Sequence, residues 1–414
     1  MTAIINGTDA MTTAPQAETL GYRAIDSDGH YYEPHDAFTR HLESRFSNRA
    51  INVRVDERDG LGRLFYGDKK LGMMKVTQTD FTGMPGSRAD FFQGLIDDEE
   101  GWHQTEVINA HDHPAMMNRD ARIALMDKQG IEATLLFPSV GVAVEHEMHD
   151  DVDALYAGLR AFNRWLEEDW GFGGDGRIYA APMLSLVDVD QACAELERVL
   201  KLGAKMLHMK RGPVYGASVA DPSCDRFWAM VEEADVPLTF HIGDAGYHEL
   251  WGTQWGEAPR PPLQYTSPFQ VYLASPAMED TIANLILNNL FDRFPKLKIL
   301  SVENGSDWVK GLMKRMNKAA FQTRGQAGLG GPVTCKPAEV LKKNFYFCPF
   351  FEEDPVELAA LIGEGQVLFG SDWPHPEGLA EPLDFANKLI AHGDTAMTRR
   401  IMRSNIANLI GLEA

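Results

Sequence analysis

Leu368-Phe369-Gly370-Ser371-Asp372-Trp373-Pro374-His375 is the stretch on which the reading of this chain turns. Val367 to Phe369 is a short apolar run of strand type, and it stops at Gly370-Ser371. A carboxylate, Asp372, follows at once. Pro374 lacks a backbone N–H and ends regular pairing, so Asp372 belongs to the last turn of a strand or just past it. A carboxylate at the carboxyl end of a buried strand is costly unless something pairs it. A metal ion or an arginine meets that need. A polar loop after a strand is the plainer reading, and the rest of the chain has to choose.

Upstream, strand-like and helix-like segments alternate. Strands are expected at 22–25, 131–138, 176–186, 204–210, 236–243, 297–304, 344–351 and 366–369. Helices are expected at 151–170, 187–202, 221–234, 276–294, 305–317 and 355–362, with two more at 382–392 and 396–410. Leu155, Leu159, Phe162 and Leu166 show the spacing that puts apolar side chains on one helix face. Eight strands, nearly all followed by helices, predict an α/β fold of the (β/α)8 TIM barrel type. The alternative is a doubly wound open sheet, but no G-x-G-x-x-G follows any strand. Residues 46–118 break the alternation with little periodicity. A structureless loop of that length is unusual in a compact domain, so they are expected to form a lid-like insertion after strand one.

With 414 residues, one barrel can span 21–414, preceded by a polar, Thr/Ala-rich leader at 1–20 expected to be disordered. Sixty acidic against 39 basic residues give a net charge of −21, which argues against nucleic acid or an anionic membrane surface as a partner. No apolar run approaches the roughly 20 residues of a membrane helix. Cys193, Cys224, Cys335 and Cys348 form no C-x-x-C pair, which argues against a thiolate zinc knuckle and fits reduced thiols in a cytoplasmic protein.

In such a barrel the chemistry lies at the carboxyl ends of the strands. Four of those ends carry metal-ligand types: Asp28 and His30 after strand one, His241 on strand five, Glu303 after strand six and Asp372 after strand eight. Alternation along a strand points Asp28 and His30 the same way, and Asp26 is a further candidate for that face. Two histidines and two carboxylates suit one divalent ion with an open position for water or substrate. His111-Asp112-His113 offers a competing half-site inside the insertion. Lys210 and Arg211 end strand four, and the guanidinium of Arg211 suits a substrate carboxylate. His248, in the loop after strand five, is a candidate to face substrate, with a surface role as the favoured alternative, and His375 either orients Asp372 or contacts substrate, or packs the Pro-bounded turn. Asn163, Arg164 and Trp165 are read as structural.

The segments Ile25-Asp26-Ser27-Asp28-Gly29-His30-Tyr31-Tyr32-Glu33-Pro34, Phe240-His241-Ile242-Gly243 and Phe369 to Gly378 resemble the amidohydrolase superfamily. The likeness is to the amidohydrolase-related branch that includes aminocarboxymuconate-semialdehyde decarboxylase, and it runs from about Ala24 to the C-terminus, poorly covering 46–118. It implies a mononuclear centre with Asp28, His30, His241 and Asp372 as ligands to Zn²⁺ or Mn²⁺, Mn²⁺ being favoured a little by the acidic first shell. Lys210 would correspond to the bridging lysine of binuclear relatives, a lesser reading in a mononuclear branch. It implies non-oxidative decarboxylation of a small aromatic or unsaturated acid, with Asp372 or Glu303 moving the proton, and a homodimer. Glu303-Asn304-Gly305 stands where the branch has a catalytic histidine after strand six. Metal-dependent hydrolysis of a lactone, ester or amide is the alternative in the same fold. Hydration of a double bond is a third, and a non-catalytic binding barrel is the reading from a different class.

Overall fold

The computed structural model describes residues 20–72, 74–97, 105–259 and 264–413. The expected leader at 1–20 therefore lies outside the described residues except for Leu20. The architecture is α/β. Parallel strands Ala24–Tyr31, Ile131–Pro138 and Ile178–Ala180 form one sheet. Met183–Leu184, Leu207–Lys210, Leu238–His241, Ile299–Val302 and Phe345–Cys348 form a second, in chain order. The chain passes from one sheet to the other through Ala181-Pro182. That proline splits the strand expected at 176–186 into two pieces.

On their other side the sheets are linked by the segment around Val367–Trp373. It is not a regular strand. Leu368 N–H donates to Phe347 O on one flank, while Ser27 N–H donates to Phe369 O and His30 N–H to Trp373 O on the other. Isolated parallel bridges pair Phe347 with Val367 and Gly29 with Trp373. Asn405 donates to the carbonyls of Glu364 and Val367, so a helix side chain replaces part of the missing ladder.

The helices start where the sequence supplies caps. Asp151 accepts from Ala154 N–H at the start of Val152–Asp169, and Asp188 from Gln191 N–H before Val189–Lys201. Leu155, Leu159, Phe162 and Leu166 are all buried against the sheet. Asp354 and Pro355 open Pro355–Ile362, a start built from a side-chain acceptor and a residue with no N–H left to satisfy. The helix Pro337–Asn344 has no counterpart among the expected elements. The helix expected at 276–294 breaks at Asn289, whose φ of 64° lies in the left-handed region.

The insertion has structure of its own. Ile51–Val55, Gly62–Tyr66 and Lys69–Lys70 form an antiparallel sheet, and Thr82–Gly83 pairs with Val107–Ile108. The lack of periodicity there reflects short strands with one open face. Among the described residues no helix is long and apolar enough to cross a membrane.

Candidate active site

The first strand is longer than its apolar residues suggest. Ala24–Tyr31 is buried at every position, including Asp26, Asp28 and His30. A register shift between Asp26 and Gly29 breaks the simple alternation. Asp26 consequently takes a different partner from Asp28. Its carboxylate accepts from Ser371 N–H at 3.0 Å and Ser371 Oγ–H at 2.5 Å, tying strand one to the Asp372 segment. Burial pushes the Asp26 carboxyl up to about 7, against these hydrogen bonds. Arg122 reinforces the same junction. Its guanidinium lies 4.0 Å from the Trp373 ring centre and donates to the His30 carbonyl.

Asp28, His30, His241 and Glu303 converge, with one ligand atom from each within 4.8 Å of the others. Asp28 Oδ1 is 3.5 Å from His30 Nε2 and 3.4 Å from His241 Nε2. Glu303 Oε2 is 3.2 Å from His241 Nε2 and 3.6 Å from His30 Nε2. Atoms that share a divalent ion at about 2.1 Å stand roughly 3.0–3.5 Å apart, so the spacing fits a coordination shell. The hydrogen-bond pattern fits it too. His241 Nδ1–H donates to the Ile242 carbonyl at 2.9 Å, which leaves Nε2 bare toward two carboxylates. Neither nitrogen of His30 and no donor to Glu303 Oε2 completes a hydrogen bond. Buried orphan atoms aimed at one point call for a cation.

Asp372 joins this centre from the side. Its Oδ1 is 3.4 Å from His30 Nε2 and 2.7 Å from His375 Nδ1. It belongs to a group with His30, Glu303 and His375, while Glu303 stands with Asp28 and His241. The expected ligand set is thus brought together with Glu303 inside it and Asp372 drawn toward His375. Asp372 and Glu303 both have positive φ, 56° and 54°. Non-glycine residues in that region carry strain, on the order of 1–3 kcal/mol each, which is concentrated at functional sites. Close packing fixes the approach: a Cβ at Gly370 would meet Asp28 Cβ at 2.5 Å and also collide with Cys348 Sγ.

Carboxylates buried this close together cannot all ionise cheaply. Burial, and then the neighbouring acids, push Asp372 well above the usual carboxylate range, and burial pushes Glu303 up to about 7. Burial opposes ionisation of Asp28 as well, but the hydrogen bonds and charges of His241 and His30 outweigh it and hold that carboxyl at about 2. His30 is pushed down to about 3, chiefly by burial.

A cavity of about 700 Å³ opens over the centre, lined by His30, His241, Glu303, His375 and Arg211. Gly72 and Gln78 of the insertion also line it. Arg211 is buried, donating to Asn304 Oδ1 at 2.7 Å and to the Gly243 carbonyl at 3.4 Å. Its Nε has no partner. Lys210 is held by the carbonyls of Arg211 and Pro213, away from the centre. His248 does not line the cavity; it stands with His146 and Glu249. His111 is exposed and His113 half-buried, on short turns, and neither belongs to a ligand group among the described residues. Asn163 bonds both backbone groups of Met183 and the Glu195 carboxylate, a structural role. Ser139 and Glu33 were not singled out from sequence. Ser139 directly follows a buried strand and Glu33 follows another after Tyr32, and a polar residue just past a buried strand is the signal that marks them.

A family model described as Amidohydrolase matches residues 102–412, and the chain belongs to the amidohydrolase family. The crystal structure of an amidohydrolase from Mycobacterium avium subsp. paratuberculosis K-10 is 39% identical, covering 94% of this chain and 99% of that one, with a TM-score of 0.87. Two decarboxylases share the fold at lower identity. A dihydroxybenzoic acid decarboxylase from Polaromonas sp. JS666, solved with manganese and 2-nitroresorcinol, is 20% identical over 78% of this chain and 93% of its own, with a TM-score of 0.54. A 5-carboxyvanillate decarboxylase from Novosphingobium aromaticivorans DSM 12444, solved with manganese and 4-hydroxy-3-methoxy-5-nitrobenzoic acid, is 16% identical over 97% and 98%, with a TM-score of 0.61. No curated protein matches the sequence.

Proposed function

We propose that this chain is a mononuclear metal-dependent carboxy-lyase that releases CO2 from a small aromatic or unsaturated acid. Its parallel segments close as a (β/α)8 barrel, and the 46–118 insertion covers the mouth as a lid. The observation that carries the reading is the pairing, in one cavity, of a divalent-ion site with a buried arginine whose Nε is unpaired. That combination suits a carboxylate with a neighbouring oxygen. Asp28, His30, His241 and Glu303 or Asp372 would hold Mn²⁺ or Zn²⁺. A bound ion supplies Lewis acidity toward the substrate oxygens.

The protein's own groups supply the rest. Arg211 meets the carboxylate from the cavity wall. Ser139 Oγ–H donates to the Tyr31 carbonyl at 2.8 Å, so Ser139 Oγ accepts from His375 Nε2–H at 3.0 Å. His375 Nε2 therefore carries a proton, and the 2.7 Å contact between His375 Nδ1 and Asp372 Oδ1 holds a second one between them. This shared proton is the one delivered to the carbon that loses CO2. Glu303, raised by burial, is the neighbouring acid that can replace it. The working state is expected to be a cytoplasmic homodimer acting on a small molecule.

One observation favours hydrolysis of a lactone, ester or amide instead. Asp28, Glu303 and Asp372 crowd the centre, while Arg211 is the one cationic side chain lining the cavity among the described residues. Such a balance suits a neutral substrate. The test is to load purified enzyme with Mn²⁺ and assay hydroxylated benzoic acids in D2O. CO2 release with deuterium at the vacated carbon supports the lyase. Hydrolysis of lactones or esters with no CO2 from any acid supports the second reading. Inactivity toward both classes by fully loaded enzyme sinks both.

A further inference from the structure

We propose that His146, His248 and Glu249 form a second metal site, selective for Zn²⁺, that ties two loops together beside the cavity mouth. The three side chains come from two short helices, Val144–Met148 and Tyr247–Leu250, which follow different strands. One donor atom from each lies within 4.8 Å of the others. Glu249 Oε2 is 3.1 Å from His146 Nε2, and Glu249 Oε1 is 3.4 Å from His248 Nε2. Ligands of a tetrahedral zinc lie roughly 3.3–3.5 Å apart, so the 3.4 Å separation matches a shared ion and the 3.1 Å one needs only a small outward shift of the half-exposed Glu249 side chain.

The surroundings hold the imidazoles ready. The two rings meet edge-on, 5.5 Å apart at 88°, so their donor atoms arrive from different directions. Tyr215 stacks on His149 at 3.9 Å, and His149 lies nearly parallel to His146 at 5.4 Å. Tyr215 itself has a φ of 38°, outside the ordinary regions for a bulky residue. Gly246, at φ 73°, leaves room beneath the loop for the His146 ring, where any Cβ would sit 2.8 Å from Nδ1. Asp244 Oδ1, which accepts from Gly246 N–H, lies 3.8 Å from His248 Nδ1, on the side of the ring away from Glu249 but beyond hydrogen-bond reach. The histidines are nearly buried, whereas the Glu249 side chain is half-exposed. An ion can thus enter from solvent. Two nitrogens and one carboxylate oxygen, with room for water, suit Zn²⁺ better than the carboxylate-rich centre does. Val142, Ala143 and Asp244 line the cavity and flank these helices, so an ion here would fix that wall.

The test uses the whole protein, stripped of metal and titrated with Zn²⁺ against a chromophoric chelator. The result expected is about two equivalents bound by the native chain and about one by Glu249→Gln and by His146→Gln. Zinc should also raise the melting temperature of the native chain more than that of either variant. His241→Ala, which removes the metal of the other centre, should retain the equivalent that Glu249→Gln loses. If both loop variants bind as much zinc as the native chain, or the native chain binds only the equivalent lost in His241→Ala, the three residues are a hydrogen-bonded latch and the proposal is overturned.

Discussion

Two groups of histidines and carboxylates lie at one end of this molecule, and they are built differently. The central group hangs on strands and strand ends, with His30 and His241 buried in ladder positions and Asp28 buried in the irregularity between Asp26 and Gly29. The outer group sits on two short helices and includes a half-exposed glutamate. A ligand on a buried strand is held by ladder hydrogen bonds and close packing, so its position is fixed before any ion arrives. A ligand on a short loop helix is held mainly by its neighbours, and can be ordered by the ion itself. The centre is therefore suited to chemistry, and the outer group to tethering.

The sharpest way to break the comparison is at the centre. His241→Ala should reduce that centre's metal from about one equivalent to near none, read by elemental analysis. Asp372→Asn should lower turnover on the order of 10²–10⁴-fold by removing the shared proton. Retained metal and activity in His241→Ala would show that the strand-borne group is not the working one. Gly370→Ala probes the rigidity that distinguishes the centre. The added methyl collides with Asp28 and Cys348, and overpacking of this kind costs roughly 1–3 kcal/mol. Chemical denaturation should show that loss together with weaker metal binding, whereas a glycine-to-alanine change at exposed Gly174 should leave metal binding unaltered.

Glu33 is buried, and its Oε1 accepts from Val140 and Gly141 N–H on the loop that leads to His146. Burial pushes its carboxyl up from 4.5 to about 7. The folded state thus keeps a proton that the unfolded state releases. Stability from this group is present in full below about pH 4.5 and is lost as the pH rises through about 7. The loss is on the order of 3 kcal/mol. Glu33→Gln keeps the acceptor oxygen and should flatten that slope in denaturation curves at pH 5 and 7.5; an unchanged slope would place the titration elsewhere. The smallest effect is expected at His111→Ala, an exposed histidine outside both groups, with stability within about 0.5 kcal/mol and metal content unchanged.

Residues far apart in sequence were legible as one centre because each follows an apolar run, and strand ends in an α/β fold share one face. Asp28, His30, His241, Glu303 and Asp372 carried that mark. His146 and Glu249 did not, since they lie on short helices within loops, where no periodicity distinguishes a ligand from a surface residue. Glu303 could be placed but not aimed, because its left-handed backbone depends on the strand ending one residue earlier. The last segment was legible as apolar, yet it joins its neighbours through isolated bridges and the Asn405 side chain.

What the amino-acid order determined by itself was local: the alternation of elements, the helix caps at Asp151, Asp188 and Asp354, and the polar residues that end buried strands. Those features act over a few residues, through hydrogen bonds and side-chain periodicity. Only the tertiary structure decided that Asp26 would tie down Ser371 while Asp28 faced the histidines, that Glu303 would stand closer to His241 than Asp372 does, and that His146 would meet Glu249. Each of these depends on a register shift, a positive φ or a contact between distant loops, and such long-range packing leaves no periodic trace in the chain.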